Sequence, residues 1–150
     1  MKDKKALPVE RPVRRTMMVL GLLGLGVSVY LTAVHYADAP LVCWGTSGCE
    51  AVNRSAYSEV AGIAVALLGA GAYLTILGLL GAEAYKLIER PTVVLGVFGF
   101  SLAGVLYSVY LSYVEIFLLR AVCSWCVLSA FTMMAIFALA LTRLRALLAG

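Results

Sequence analysis

The sequence predicts an all-α integral membrane protein, a bundle of four transmembrane helices with both termini cytoplasmic and a cysteine-bearing loop between the first two helices. Three observations lead there. Hydrophobic residues make up 63% of the chain, well above the roughly 45–50% apolar content of a soluble domain. Four apolar runs, each free of Asp, Glu, Lys and Arg, have about the 20 residues a helix needs to cross the hydrocarbon layer. The basic residues then alternate by side. With the N-terminus inside, Lys2, Lys4, Lys5, Arg11, Arg14, Arg15, Lys86, Arg90, Arg143 and Arg145 are cytoplasmic, and only Arg54 and Arg120 lie outside. That is the orientation the positive-inside rule favours.

The elements follow in order. Residues 1–16 are basic, contain Pro8 and Pro12, and read as a flexible cytoplasmic N-terminus. The first span is Met17 to Tyr36. "ADA" at 37–39 resembles a signal-cleavage site, but the apolar run exceeds the roughly 7–15 residues of a signal h-region, so a retained span is expected. The second span is Gly62 to Ala82, the third Thr92 to Val114 and the fourth Cys123 to Thr142. Residues 17–142 therefore form one membrane domain, and residues 143–150 a short basic cytoplasmic tail. The net charge of +4 is accounted for by topology signals, so no nucleic-acid partner is expected.

The four cysteines all fall on the outer side: Cys43 and Cys49 in the first loop, Cys123 and Cys126 at the head of the fourth span. An oxidising face permits disulfides. Paired cysteines also serve as zinc ligands, but the C-x5-C spacing of the loop suits a metal knuckle poorly. Covalent haem attachment needs His after the second cysteine, and position 127 is Val. Two inert disulfides remain possible, although Cys-x-x-Cys at a helix start makes a poor staple. Redox chemistry fits better. Cys123 would sit where unpaired helix N–H groups and the helix dipole favour a thiolate. Cys126 would lie one turn deeper, toward the membrane. The loop "CWGTSGC" is rich in Gly, Thr and Ser and reads as a mobile dithiol beside a fixed one. No metal site is expected.

The stretches "CEAVNRSAYS" and "CSWCVLSA", the loop pair and the four spans together resemble bacterial members of the vitamin K epoxide reductase family, from about Met17 to Thr142. One departure is Ala64, where many relatives have Pro, which leaves the local bend open. The resemblance implies a redox loop and catalytic roles for Cys43, Cys49, Cys123 and Cys126. A separate extracytoplasmic thioredoxin-fold (DsbA-like) protein would reduce the loop disulfide at Cys49. Cys43 would pass electrons to Cys123, and Cys126 would deliver them to a membrane quinone of menaquinone, ubiquinone or phylloquinone type. Ser55 is similar in position to a family residue that hydrogen-bonds a quinone carbonyl. The implied setting is the bacterial cytoplasmic membrane, with the active site on the periplasmic or extracellular side. Reduction of vitamin K epoxide or quinone for its own sake, or a non-enzymatic scaffold with two structural disulfides, are the alternatives.

Other residues invite simpler readings. Trp44, Tyr57, Tyr113 and Trp125 lie near the outer boundary, where aromatic rings anchor helices; Trp125 is also a candidate to stack on the quinone ring. His35, at the end of the first span, reads as an interfacial side chain. The stripes Gly24/Ser28/Thr32 and Gly104/Ser108/Ser112 are packing features that let helices approach closely.

Overall fold

The computed structural model describes residues 10–45 and 48–150. Four long helices are apolar enough to cross a membrane: α1 (Glu10–Ala37), α3 (Val65–Ala84), α4 (Arg90–Tyr113) and α5 (Ser124–Ala149), with the short α2 (Cys49–Asn53) in the first loop. A π-helical segment, Val114–Leu119, continues α4. α1 packs on α3 and α5, and α4 on α5 and α3, closing a four-helix bundle. Leu22, Leu106 and Phe131 are exposed on its flanks, as expected of a protein whose solvent is lipid rather than water.

α1 is already helical at Glu10, ahead of the Met17 start that apolarity alone predicts. Residues 10–16 are thus helix and not flexible chain; residues 1–9 of that stretch lie outside the described residues. Pro12 is tolerated near the helix start, where N–H groups lack intrahelical acceptors, and Glu10 suits the positive end of the helix dipole. Glu10 also pairs with Arg90 at the start of α4. At the other terminus α5 runs through the expected tail to Ala149. Arg143 turns inward and meets Glu83 of α3 at 2.5 Å. The two ion pairs gather the start of α1, the end of α3, the start of α4 and the end of α5 at one end of the bundle, and all four cysteines lie toward the other.

The second span begins at Val65 rather than Gly62, because residues 59–64 form a two-residue-per-strand hairpin absent from an all-α expectation. β1 (Glu59–Val60) pairs antiparallel with β2 (Ile63–Ala64). Ala61 and Gly62 both have positive φ, 54° and 81°, the backbone of a type I′ turn. Ala64 adopts φ −59°, the angle a proline ring would impose, so the bend survives without proline.

The buried core, Met17, Tyr73, Ile76, Leu80, Val93 and Ile136 among others, fills the bundle between Tyr73 and the ion-paired end. The glycines of the small-residue stripes do pack, Gly24 on Tyr73 and Gly104 on Met133, whereas Ser108 and Ser112 line the cavity described below. A Cβ on Gly24 would come within 2.2 Å of the Tyr73 ring, so only glycine lets α1 lie over that ring. Tyr73 in turn donates its hydroxyl to the Ser129 carbonyl of α5 at 2.9 Å. Sequence positions 24, 73 and 129 are thereby clamped at mid-bundle.

Candidate functional site

Cys43 and Cys49 are joined by a disulfide, with Cα atoms 5.9 Å apart, while Cys123 and Cys126 are free. A disulfide-bonded pair offers no thiolates to a metal, and among the described residues no group of three or more His, Cys, Asp or Glu side chains could hold one.

The described flanks of the loop are docked, not adrift. The Ser124 hydroxyl donates to the Trp44 carbonyl at 2.5 Å, and the Trp125 indole N–H donates to the Val42 carbonyl at 2.7 Å. Tyr30 offers its hydroxyl oxygen to the Val42 N–H at 3.3 Å. The Trp125 ring sits against Tyr30 and Trp44, with centroids 5.1 and 6.1 Å away. These contacts bracket Cys43 and bring its sulfur 3.9 Å from the Ser124 hydroxyl, beside Cys123. On the far side of the loop, a Cβ on Gly48 would lie 2.6 Å from the Val122 backbone nitrogen. α2 therefore starts flush against the chain that leads into Cys123, and Cys49 is fully enclosed beneath it. Thr46 and Ser47, the centre of the stretch expected to be mobile, lie outside the described residues.

Cys123 is the N-cap of α5, and its sulfur accepts the Cys126 backbone N–H at 3.4 Å. A cap satisfies one of the donors left free at a helix start. The Cys126 thiol, also donating to Cys123, holds the Cys123 thiol below its usual range. Burial and the nearby Glu115 carboxylate oppose this, and the Cys126 and Trp125 backbone N–H groups add to the lowering. Cys123 is thus the sulfur of the pair best suited to exist as a thiolate.

Cys126 faces the other way. With Ser55, Tyr107, Glu115 and Met133 it lines a cavity of about 380 Å³ bounded by α1, α3, α4, α5 and the loop. That falls in the range of about 300–1,000 Å³ for small-molecule sites. Ser55 lines this cavity while its hydroxyl donates to the Val52 carbonyl at 2.8 Å. Trp125 is not among the lining residues; its ring holds the loop instead. His35 ties the rim together, with Nδ1 2.9 Å from the Asn53 carbonyl and Nε2 2.8 Å from Glu59.

Glu115 escaped the sequence reading. Apolarity ends the third span at Val114, one residue short of it. It lies instead in the π-helical segment, 6% exposed, and its Oε2 accepts the Cys123 backbone N–H at 3.3 Å. The available signal was an acidic residue abutting an apolar span, eight residues before a Cys-x-x-Cys head. A family model described as the Vitamin K epoxide reductase family matches residues 15–141, which includes every residue of this site.

Proposed function

Because the chain belongs to the vitamin K epoxide reductase family, whose chemistry is thiol–disulfide oxidoreduction in the membrane, we propose that it re-oxidises an extracytoplasmic thioredoxin-fold dithiol and passes the electrons to a membrane quinone. It is a multi-pass membrane protein with four apolar spans. The ten-to-two distribution of Lys and Arg supports a bacterial cytoplasmic membrane with the loop end outside. Disulfides would persist on that side.

The observation that carries the reading is the division of labour within "CSWC". Its first sulfur caps the helix beside the docked loop disulfide, and its second lines the cavity. The steps follow from disulfide exchange, in which a thiolate attacks one sulfur and expels the other. The partner's thiolate attacks Cys49 and releases Cys43, and the partner's second thiolate then closes the partner's own disulfide and frees Cys49. Cys49 is enclosed, so this step requires α2 to lift from Val122. Cys43 then attacks Cys123 of an oxidised helix pair, expelling Cys126 toward the cavity. The freed Cys49 attacks Cys43, expels Cys123 and closes the loop disulfide again, which leaves the arrangement described above: an oxidised loop and a reduced helix pair. When Cys123 and Cys126 rejoin, two electrons and two protons leave together, the amount that converts a quinone to its quinol.

The residues fit such an acceptor. A quinone ring needs an apolar slot with donors near its carbonyl oxygens. Leu31, Val127 and Met133 provide the first, and Ser55, Tyr107 and Ser108 carry hydroxyls into the same space. The Ser55 hydroxyl must turn from Val52 to donate there.

The test is stoichiometric. Protein reduced at Cys123 and Cys126 and mixed with ubiquinone or menaquinone analogues without oxygen should lose two thiols per quinol formed. Cys126→Ala should form none, while its loop disulfide still exchanges with a thioredoxin-fold dithiol. Wild-type quinol formation by that variant would overturn the assignment of Cys126.

A further inference from the structure

We propose that Glu115 is the proton carrier of the helix pair: it takes a thiol proton as Cys123 and Cys126 join, and gives it to the reduced acceptor in the cavity. The inference rests on the quinone reading above and adds to it a residue that none of the cysteine chemistry requires.

A carboxylate within a membrane span is costly to bury, and such residues mark ion or proton paths when no cation neutralises them. Glu115 is buried, and among the described residues no Lys, Arg or His forms an ion pair with it. The buried Glu10 and the half-buried Glu83 each have an arginine. Glu115 instead has one hydrogen bond from Cys123 N–H on one side and the cavity shared with Cys126 on the other. It therefore touches the backbone of one reacting residue and the space before the second. Its helix is π-wound from Val114 to Leu119. Such turns are rare and frequent at functional sites because they re-aim a side chain. The Ala121 N–H returns to the Glu115 carbonyl at 3.0 Å, which ties this turn to the chain entering Cys123.

The balance is complete without another reagent. Two thiols lose two protons and two electrons as one S–S bond forms. Both electrons and both protons appear in the quinol. As the S–S bond closes, Glu115, whose Oε2 lies 3.3 Å from the Cys123 N–H, takes the Cys123 thiol proton and passes it to the acceptor, while the Cys126 proton goes directly into the cavity that Cys126 lines. The other titratable side chains around this space are Cys126, Tyr57, Tyr73 and Tyr107.

The decisive measurement needs no acceptor. Infrared difference spectra between the dithiol and disulfide forms of the whole protein in lipid should contain a protonated-carboxyl C=O band. That band should vanish in Glu115→Gln, which keeps a carbonyl oxygen for the Cys123 N–H. Quinol formation by Glu115→Gln should fall about 100-fold or more, the usual contribution of a positioned proton-transfer group. Its pH profile should lose a limb that Glu115→Asp restores in part. A difference spectrum without a carboxyl band, or wild-type turnover and pH profile in Glu115→Gln, overturns the proposal. Should Glu115→Gln fail to fold, the wild-type spectrum and the Glu115→Asp pH profile still decide it. Failure of wild-type protein to form quinol counts against the quinone reading alone, since the carboxyl band is read without quinone.

Discussion

The two ends of the bundle solve opposite problems. At the end where α1 begins and α5 ends, apolar side chains of the buried core pack together, and charge is cancelled by two ion pairs between residues far apart in sequence, Glu10 with Arg90 and Glu83 with Arg143. At the loop end the helices line a cavity of about 380 Å³ and hold a carboxylate that pairs with no cation among the described residues, and the nearby loop is fastened by hydrogen bonds to its backbone carbonyls. The first end supplies stability and the second makes use of it. A hollow, reactive site survives in a small bundle because the far end is locked.

The sharpest way to probe the contrast is at the loop. With Cys49 and Cys126 both replaced by Ala, Cys43 and Cys123 should cross-link spontaneously under oxidising conditions, detected by mass spectrometry of non-reduced peptides. With Cys43 and Cys126 replaced, the enclosed Cys49 should link to Cys123 poorly. Equal linking in both variants would erase the order assigned to the loop cysteines. At the locked end, Arg143→Ala leaves Glu83 buried and unpaired, and should cost about 3–5 kcal/mol of stability. Unfolding measured in detergent should report this loss, while electron transfer per folded molecule is retained. A loss of transfer in molecules that remain folded would mean that the two ends are not independent.

Smaller effects test the seat of the loop and the wall of the cavity. Gly48→Ala forces the chain away from the Val122 backbone. Overpacking of this kind costs about 1–3 kcal/mol. Because each 1.4 kcal/mol is about tenfold, stopped-flow transfer from loop to helix should slow by roughly that factor, with global unfolding almost unchanged. Ser55→Ala removes one hydroxyl at the cavity. With a hydrogen bond contributing about 0.5–1.5 kcal/mol, the apparent quinone requirement should rise several-fold and loop exchange should stay the same. The reverse result would make Ser55, already bonded to Val52, a brace for the loop.

Much of this was legible in the sequence because membrane folds are written in runs. Four uninterrupted apolar stretches fix four helices, and cysteine spacing with loop charge places the sulfur at one end. Boundaries were less legible, since helices continue past the lipid where propensity and partners allow. Glu10 and Arg143 extend α1 and α5 because each finds an opposite charge about 60–80 positions away, a distance no local pattern reports. The Ala61–Gly62 turn was hidden because Gly62 looked like the first residue of an apolar span. Glu115 was hidden because a π-helical turn has no hydrophobic period to reveal it. Trp125 read as an interfacial anchor and a candidate to stack on the quinone ring; the hydrogen bond from its indole to Val42 lies across 83 residues and could be seen only in three dimensions.

The N-cap sulfur has a consequence of its own. In the reduced pair, Cys123 closes the first turn of α5 by accepting the Cys126 N–H. Once that sulfur is bonded to another sulfur, it can no longer exist as a thiolate and its hold on the N–H weakens. Each turnover therefore loosens and re-forms the head of a transmembrane helix. The order of the backbone at Cys126 becomes a record of where the electrons are, written in the same turn that carries the ring of Trp125 and so the grip on the loop.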